Sequence, residues 1–297
     1  MKSAQWRRQY RLAALVTLVA AMSGCTNFGP VRTFGDESKK LGAAFAVFPD
    51  ATVDICRADV MLREQAVAPG STFNLGDVRA KTDQICGPLV ASKDAILPLA
   101  RLLEQYGDTL AALADKELPD YSVNLDALEK SVNGLKLGDR PALAPEQTGA
   151  IMSLGRFLSR LATERVARNE IRKLLEQQEG VQATTAALRW YVERAHKTQL
   201  NSYDKVLDGS LRGMLPQFER NEPLAARSMM VSLQQERERL AVLSTAADSF
   251  IGAAGKLDQG RAQVLAKLDQ PDDKELLRQL RELAEEVRTL RKQLRAE

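Results

Sequence analysis

The sequence predicts an all-α protein: an elongated antiparallel helical bundle with a heptad-patterned C-terminal helix. From Asp36 onward apolar residues recur at intervals of three and four, the period of a helix with one buried face. The apolar–polar alternation of half-buried strands is scarcely present. Prolines and glycines gather in a few places, leaving segments of about 30 residues that would be near 45 Å long as helices. The composition agrees: 297 residues, 44% hydrophobic, 27% charged and 5% aromatic, which is globular and excludes disorder, collagen and a polytopic membrane protein.

Residues 1–24 differ from the rest. Lys2, Arg7, Arg8 and Arg11 form a positive start, and an apolar run follows from Leu12 to Met22, broken only by Thr17. That run is too short to be a permanent membrane span. Ser23 and Gly24 then lead directly into Cys25. Positive start, apolar run, an aliphatic-type residue, two small residues and cysteine, in that order, resemble the bacterial lipoprotein signal. The resemblance implies cleavage before Cys25 by signal peptidase II, diacylglycerol on its thiol and acylation of its amine. Acyl chains at about 0.8 kcal/mol per buried methylene would then hold the protein on a membrane. Thr26, Asn27 and Phe28 follow the cysteine, where aspartate would mark inner-membrane retention, so the resemblance also implies the outer membrane. Once residues 1–24 are gone, 38 basic residues face 39 acidic ones, and no basic surplus remains to bind nucleic acid.

Residues 25–35, with Gly29, Pro30 and Gly35, read as a lipidated tether. Residues 36–118 read as an N-terminal helical region: a helix from Asp36 to about Val47, a second from Ala51 to Ala66, and a third capped by Asp77 that Pro88 and Pro98 should kink or divide. Cys56 and Cys86 lie here. With Cys25 lipidated they are the only two thiols left, and an even pair in an oxidising compartment reads as a disulfide. A metal pair would need more soft ligands, and redox chemistry usually uses a C-x-x-C that is absent.

Residues 119–270 read as a long-helix bundle. A short helix from Val123 to Leu135 and a Pro-containing loop from Gly138 to Pro145 lead into three long segments, Glu146–Gln178, Val181–Leu215 and Leu224–Leu268. Short polar turns between them force antiparallel neighbours. Residues 271–297 form a coiled-coil-like helix, with Leu276, Leu280, Leu283, Val287, Leu290 and Leu294 as a heptad seam and seven acidic against seven basic residues from Asp272 to Glu297. That seam is either the inner face of a last bundle helix or an intermolecular contact.

No constellation recommends catalysis. Glu193 and His196 have the Glu-x-x-His spacing of di-iron bundles, but the single histidine cannot supply the second pair, which leaves His196 as a solvated or capping residue. Ser202 and Lys205 have the Ser-x-x-Lys spacing of penicillin-binding enzymes without the Lys-Thr-Gly that family needs. There is no Gly-x-Ser-x-Gly elbow and no phosphate loop. The expectation is therefore a non-enzymatic outer-membrane lipoprotein with no cofactor and no bound metal. Acyl chains on Cys25 would hold it to the membrane, facing the periplasm. It would serve as a structural or adaptor protein that meets an envelope protein, or itself, through the seam. The alternative is a carrier lipoprotein with a ligand or lipid cavity inside the bundle.

Overall fold

The computed structural model describes residues 28–65, 74–115, 117, 123–137, 140–161, 168–213, 219–220 and 222–295. The signal region, Cys25 and Pro119 lie outside these residues. Ten α-helices are described: α1 Gly29–Phe45, α2 Val47–Gln65, α3 Leu75–Ala114, α4 Leu125–Gly134, α5 Pro145–Leu161, α6 Arg168–Leu175, α7 Gln178–Tyr191, α8 Lys197–Gly213, α9 Pro223–Ala266 and α10 Lys274–Leu294. A π-helical turn, Val192–His196, joins α7 to α8. The only strands among the described residues are β1 Lys136–Leu137 and β2 Arg140–Pro141, an antiparallel pair with Lys136 opposite Pro141. The all-α bundle is as the periodicity predicts.

Local chemistry sets the helix starts. Asn74 caps α3 by accepting from the Gly76 amide at 2.9 Å, and Asn124 caps α4 by accepting from Ala127 at the same distance. Asp273 accepts from the amides of Glu275 and Leu276 to open α10. The cap of α3 is thus Asn74 rather than Asp77, which lies in its first turn. Pro223 sits at the start of α9, where its missing amide leaves no bond unmade. Pro30 does the same in α1, so the stretch read as a tether is helical from Gly29, with Val31 and Phe34 buried. Nor do Pro88 and Pro98 divide α3, which runs 40 residues through both. The described residues of 146–178 form two helices, α5 and α6, and α9 runs through Gly252, Gly255 and Gly260 without a break.

Three antiparallel pairings organise the rods. α1 and α2 lie end to end, separated at Ala46, and both pack antiparallel on α3: Lys39 bonds Asp108, and Glu64 meets Lys81. The α7–α8 rod packs antiparallel on α9, with Thr185 bonding Asp258, Lys197 bonding Asp248 at 2.6 Å and Arg237 beside Asp204. α10 turns back along α9, where Lys256 meets Glu286 at 2.8 Å. The α1–α3 contact is unusually close and rests on glycine. A Cβ on Gly35 would stand 2.6 Å from the Gly107 carbonyl oxygen, one on Gly42 2.8 Å from that of Ala100, and one on Gly107 would fall against the backbone of Gly35 and Lys39.

One large core draws on all the stretches read separately in the sequence, from Phe34 and Phe45 through Leu154 and Leu188 to Phe250, Leu280 and Leu283. A second, smaller core joins α2, α8 and the first half of α9 through Ile55, Leu62, Leu200, Tyr203, Leu207 and Leu233. A third is no more than Cys56, Val60 and Cys86 with Leu89 against them. Between the large core and the small ones lies a waist. The break between α1 and α2 and the π turn between α7 and α8 fall at the same level. An aromatic cluster of Phe45, Phe48, Tyr191, His196 and Phe250 fills the gap, with neighbouring ring centroids 5.1–6.2 Å apart.

Candidate functional site

The seam of α10 is the first candidate, and the structure spends it internally. Leu276, Leu280, Leu283, Val287 and Leu290 are buried and Leu294 is partly buried, all within the large core against α1 and α9. Leu283 and Phe34 both lie against Gly260. The seam is therefore the inner face of the last bundle helix. It offers no free surface to an envelope protein or a second copy, which corrects the expected contact. The reason is geometric: α10 lies in the valley between α1 and α9, where a strict heptad face finds two helices to pack on.

Cys56 and Cys86 form the expected disulfide, with Cα atoms 6.0 Å apart. It ties α2 to the first half of α3 within a small apolar cluster of its own, with Val60 and Leu89 beside it.

His196 is not solvated and caps nothing: it is fully buried in the π turn, while Glu193 on the same turn faces solvent. The five-residue turn separates the two side chains that a regular helix would bring together. Thr52 Oγ donates to the Phe48 carbonyl at 2.7 Å and lies 2.9 Å from His196 Nδ1. The hydroxyl has one proton and gives it to the carbonyl, so Nδ1–H must donate to Oγ, and Nε2 is left without a partner among the described residues. Burial pushes the imidazole down to about 4, so it is neutral near pH 7. Ser202 donates to Asp59 at 3.2 Å across the α2–α8 contact, which gives it a structural partner.

A second buried polar group lies in the large core. Arg261 is 2% exposed and donates to the Leu175 carbonyl at 2.7 Å, closing the C-terminal end of α6. Beside it, burial raises the Tyr106 hydroxyl and the Asp258 carboxyl above their ordinary values, and Thr185 bonds Asp258 at 3.2 Å. Nothing in the local sequence marks Arg261, which occupies an inward position of an amphipathic helix otherwise filled by apolar residues. Among the described residues no group of three or more His, Cys, Asp or Glu side chains could hold a metal ion, and no helix is long and apolar enough to cross a membrane.

Three concavities among the described residues lie on the surface. One of about 360 Å³ on α10 is lined by Lys256, Arg278, Glu282 and Glu286, which pair with one another or with neighbours. Another of about 450 Å³ between α8 and α9 contains the Asp204–Arg237 pair. The largest of the three, about 550 Å³, lies between α1 and the C-terminal half of α10 and is lined mainly by cations. The sequence carries a signal for it that the overall charge balance of α10 hides: every charged residue from Val287 to Arg295 is basic.

A different surface is exposed at the end away from Phe28. On the first turns of α9, Leu224, Met230 and Val231 stand in solvent, Leu224 at 80% exposure. That stretch of α9 buries only Ala226, Leu233 and Leu240, one residue every seven. No family model, no curated protein and no solved structure matches this chain.

Proposed function

We propose that the chain is a non-enzymatic outer-membrane lipoprotein, anchored through Cys25, that serves the periplasm as a structural or adaptor protein through helix–helix contacts. The observation that carries this reading is the Cys56–Cys86 disulfide: it fits an oxidising compartment and leaves Cys25, at the end of the lipoprotein-like signal, as the one cysteine outside the pair. Helix α1 begins at Gly29, four residues after Cys25 in the sequence, so an anchor at Cys25 would hold this end of the bundle close to the membrane. With the α10 seam buried, the contact moves to the first turns of α9. There Leu224, Met230 and Val231 would meet an apolar helix face of another envelope protein. Confinement to the membrane plane raises the effective concentration of such a partner.

Two measurements test the reading. Cells fed an alkyne fatty acid should label the protein, and Cys25→Ser should abolish both the label and membrane fractionation; a labelled Cys25→Ser chain sinks the anchor. Photo-crosslinking from Val231 in intact cells should then yield a product with another envelope protein. A product with itself turns the adaptor into a self-assembling scaffold, and a purely monomeric pattern removes α9 as the contact.

A further inference from the structure

Many cations of the bundle surface are matched by carboxylates, and those with no such partner among the described residues, such as Arg79, Lys130 and Lys205, are scattered over different helices. Lys39 reaches Asp108, Lys81 reaches Glu64, Lys197 reaches Asp248, Lys256 reaches Glu286 and Arg278 reaches Glu275. The groove between α1 and the last turns of α10 departs from this pattern. Its cations are Lys40, Arg288, Arg291, Lys292 and Arg295. Two carboxylates answer them: Glu37 holds Lys40 at 2.7 Å, and Glu285 holds Arg288 at 3.1 Å. Arg291, Lys292 and Arg295 have no carboxylate partner among the described residues, so five cations against two carboxylates leave a local surplus of three positive charges. One cation in a last turn is enough to answer the carbonyl end of a helix dipole; four in nine residues are not accounted for that way.

Position makes the surplus usable. Arg288, Arg291, Lys292 and Arg295 stand at intervals of three, one and three, which puts all four on one face over about 10 Å of helix. The face borders a concavity of about 550 Å³ with Ala284 and Val287 in its lining, inside the roughly 300–1,000 Å³ typical of small-ligand sites. Guanidinium forks grip phosphate oxygens two at a time, and one phosphate can accept from several such donors together. We propose that this groove binds a phosphate-bearing anionic ligand, with Arg291, Lys292 and Arg295 as the gripping side chains and Lys40 closing the α1 side. The site stands independently of the anchor at Cys25 and of the contact on α9.

The shared chemistry has two sources, a soluble diphosphate or the headgroup of an anionic phospholipid, and calorimetry on the full chain in neutral detergent separates them. Inorganic pyrophosphate is titrated first, then short-chain phosphatidylglycerol against short-chain phosphatidylcholine. Saturable binding of pyrophosphate, weakening as salt is raised, supports the site with a soluble ligand; binding of phosphatidylglycerol alone supports it with a lipid headgroup. The double variant Arg291→Ser/Lys292→Ser should weaken whichever binding is seen by roughly tenfold or more. Lys173→Ser, which removes a cation paired with Glu170 away from the groove, should leave it unchanged. Arg295→Ser, at the exposed end of α10, provides a second reading should the double variant melt early. Absence of binding to both phosphate probes, or equal binding by the wild type and the groove variants, overturns the proposal.

Discussion

Near Phe28 the bundle is several helices thick: α1, α3, α5, α7, α9 and α10 surround one core, and α1 and α3 touch backbone to backbone through Gly35, Gly42 and Gly107. At the far end the helices lie in a row. α3 meets α2, α2 meets α8 and α8 meets α9, so each inner face has a single neighbour and the apolar contact shrinks to two small clusters. Different chemistry holds the two halves. The thick half is stabilised by burial, at about 25 cal/mol per Å² of apolar surface removed from water. At the α2–α3 contact of the row the buried apolar cluster is only Cys56, Val60 and Cys86, and the disulfide itself makes up two of the three. Crosslinks are useful in proportion to the packing they replace.

The contrast can be broken from either side. Phe250→Ala removes the ring that touches both Phe45 and Phe48 at the waist and should destabilise the protein by about 3–5 kcal/mol, measured by denaturant unfolding. Cys56→Ser/Cys86→Ser frees a loop of separation 30 and should cost about 3–4 kcal/mol in the chain-entropy model. Hydrogen exchange should place that loss in α2 and the first half of α3, with the thick half still protected; uniform loss of protection would mean that the halves unfold as one unit.

His196 sharpens the comparison through pH. Its folded value, held down by burial to about 4, lies below the unfolded 6.5, so the unfolded chain takes up the proton first. The stability is intact above pH 6.5 and declines as pH falls toward 4, by up to about 3 kcal/mol. In His196→Gln that part of the acid slope should vanish, and an identical slope in both proteins would show that the ring is protonated in place. The smallest effect is expected at Gly107→Ala. The new methyl would meet the backbone of Gly35 and Lys39, and forcing α1 from α3 should cost about 1–3 kcal/mol although alanine is the better helix former.

Much of this was legible in the sequence, though unevenly. The helical period, the cysteine pair and the heptad seam are local or countable patterns, and each corresponds to an element in the structure. The direction in which the seam faces was not legible, because the same leucines suit a bundle valley and a partner helix equally well. Pro88 and Pro98 do not divide α3, because a proline removes one helical hydrogen bond and the packing of α3 against α1 and α2 overrides that local loss. His196 and Arg261 are polar residues whose burial depends on partners far away in the chain, Thr52 at one and the Leu175 carbonyl at the other. The basic groove escaped because the charge count over α10 averages two halves of opposite character.

The π turn has a consequence of its own. It places one residue more than an α-helix would in the same span, so the rods on either side of it are out of phase, like two gears meshed one tooth apart. Deleting a single residue from 192–196 would let the span close as an unbroken α-helix with the later rod left in place, but forcing the same five residues into α geometry would turn everything after them by about 100°. Leu200, Tyr203 and Leu207 would swing away from α2 and α9, and the far half would lose its interior without the change of a single side chain there.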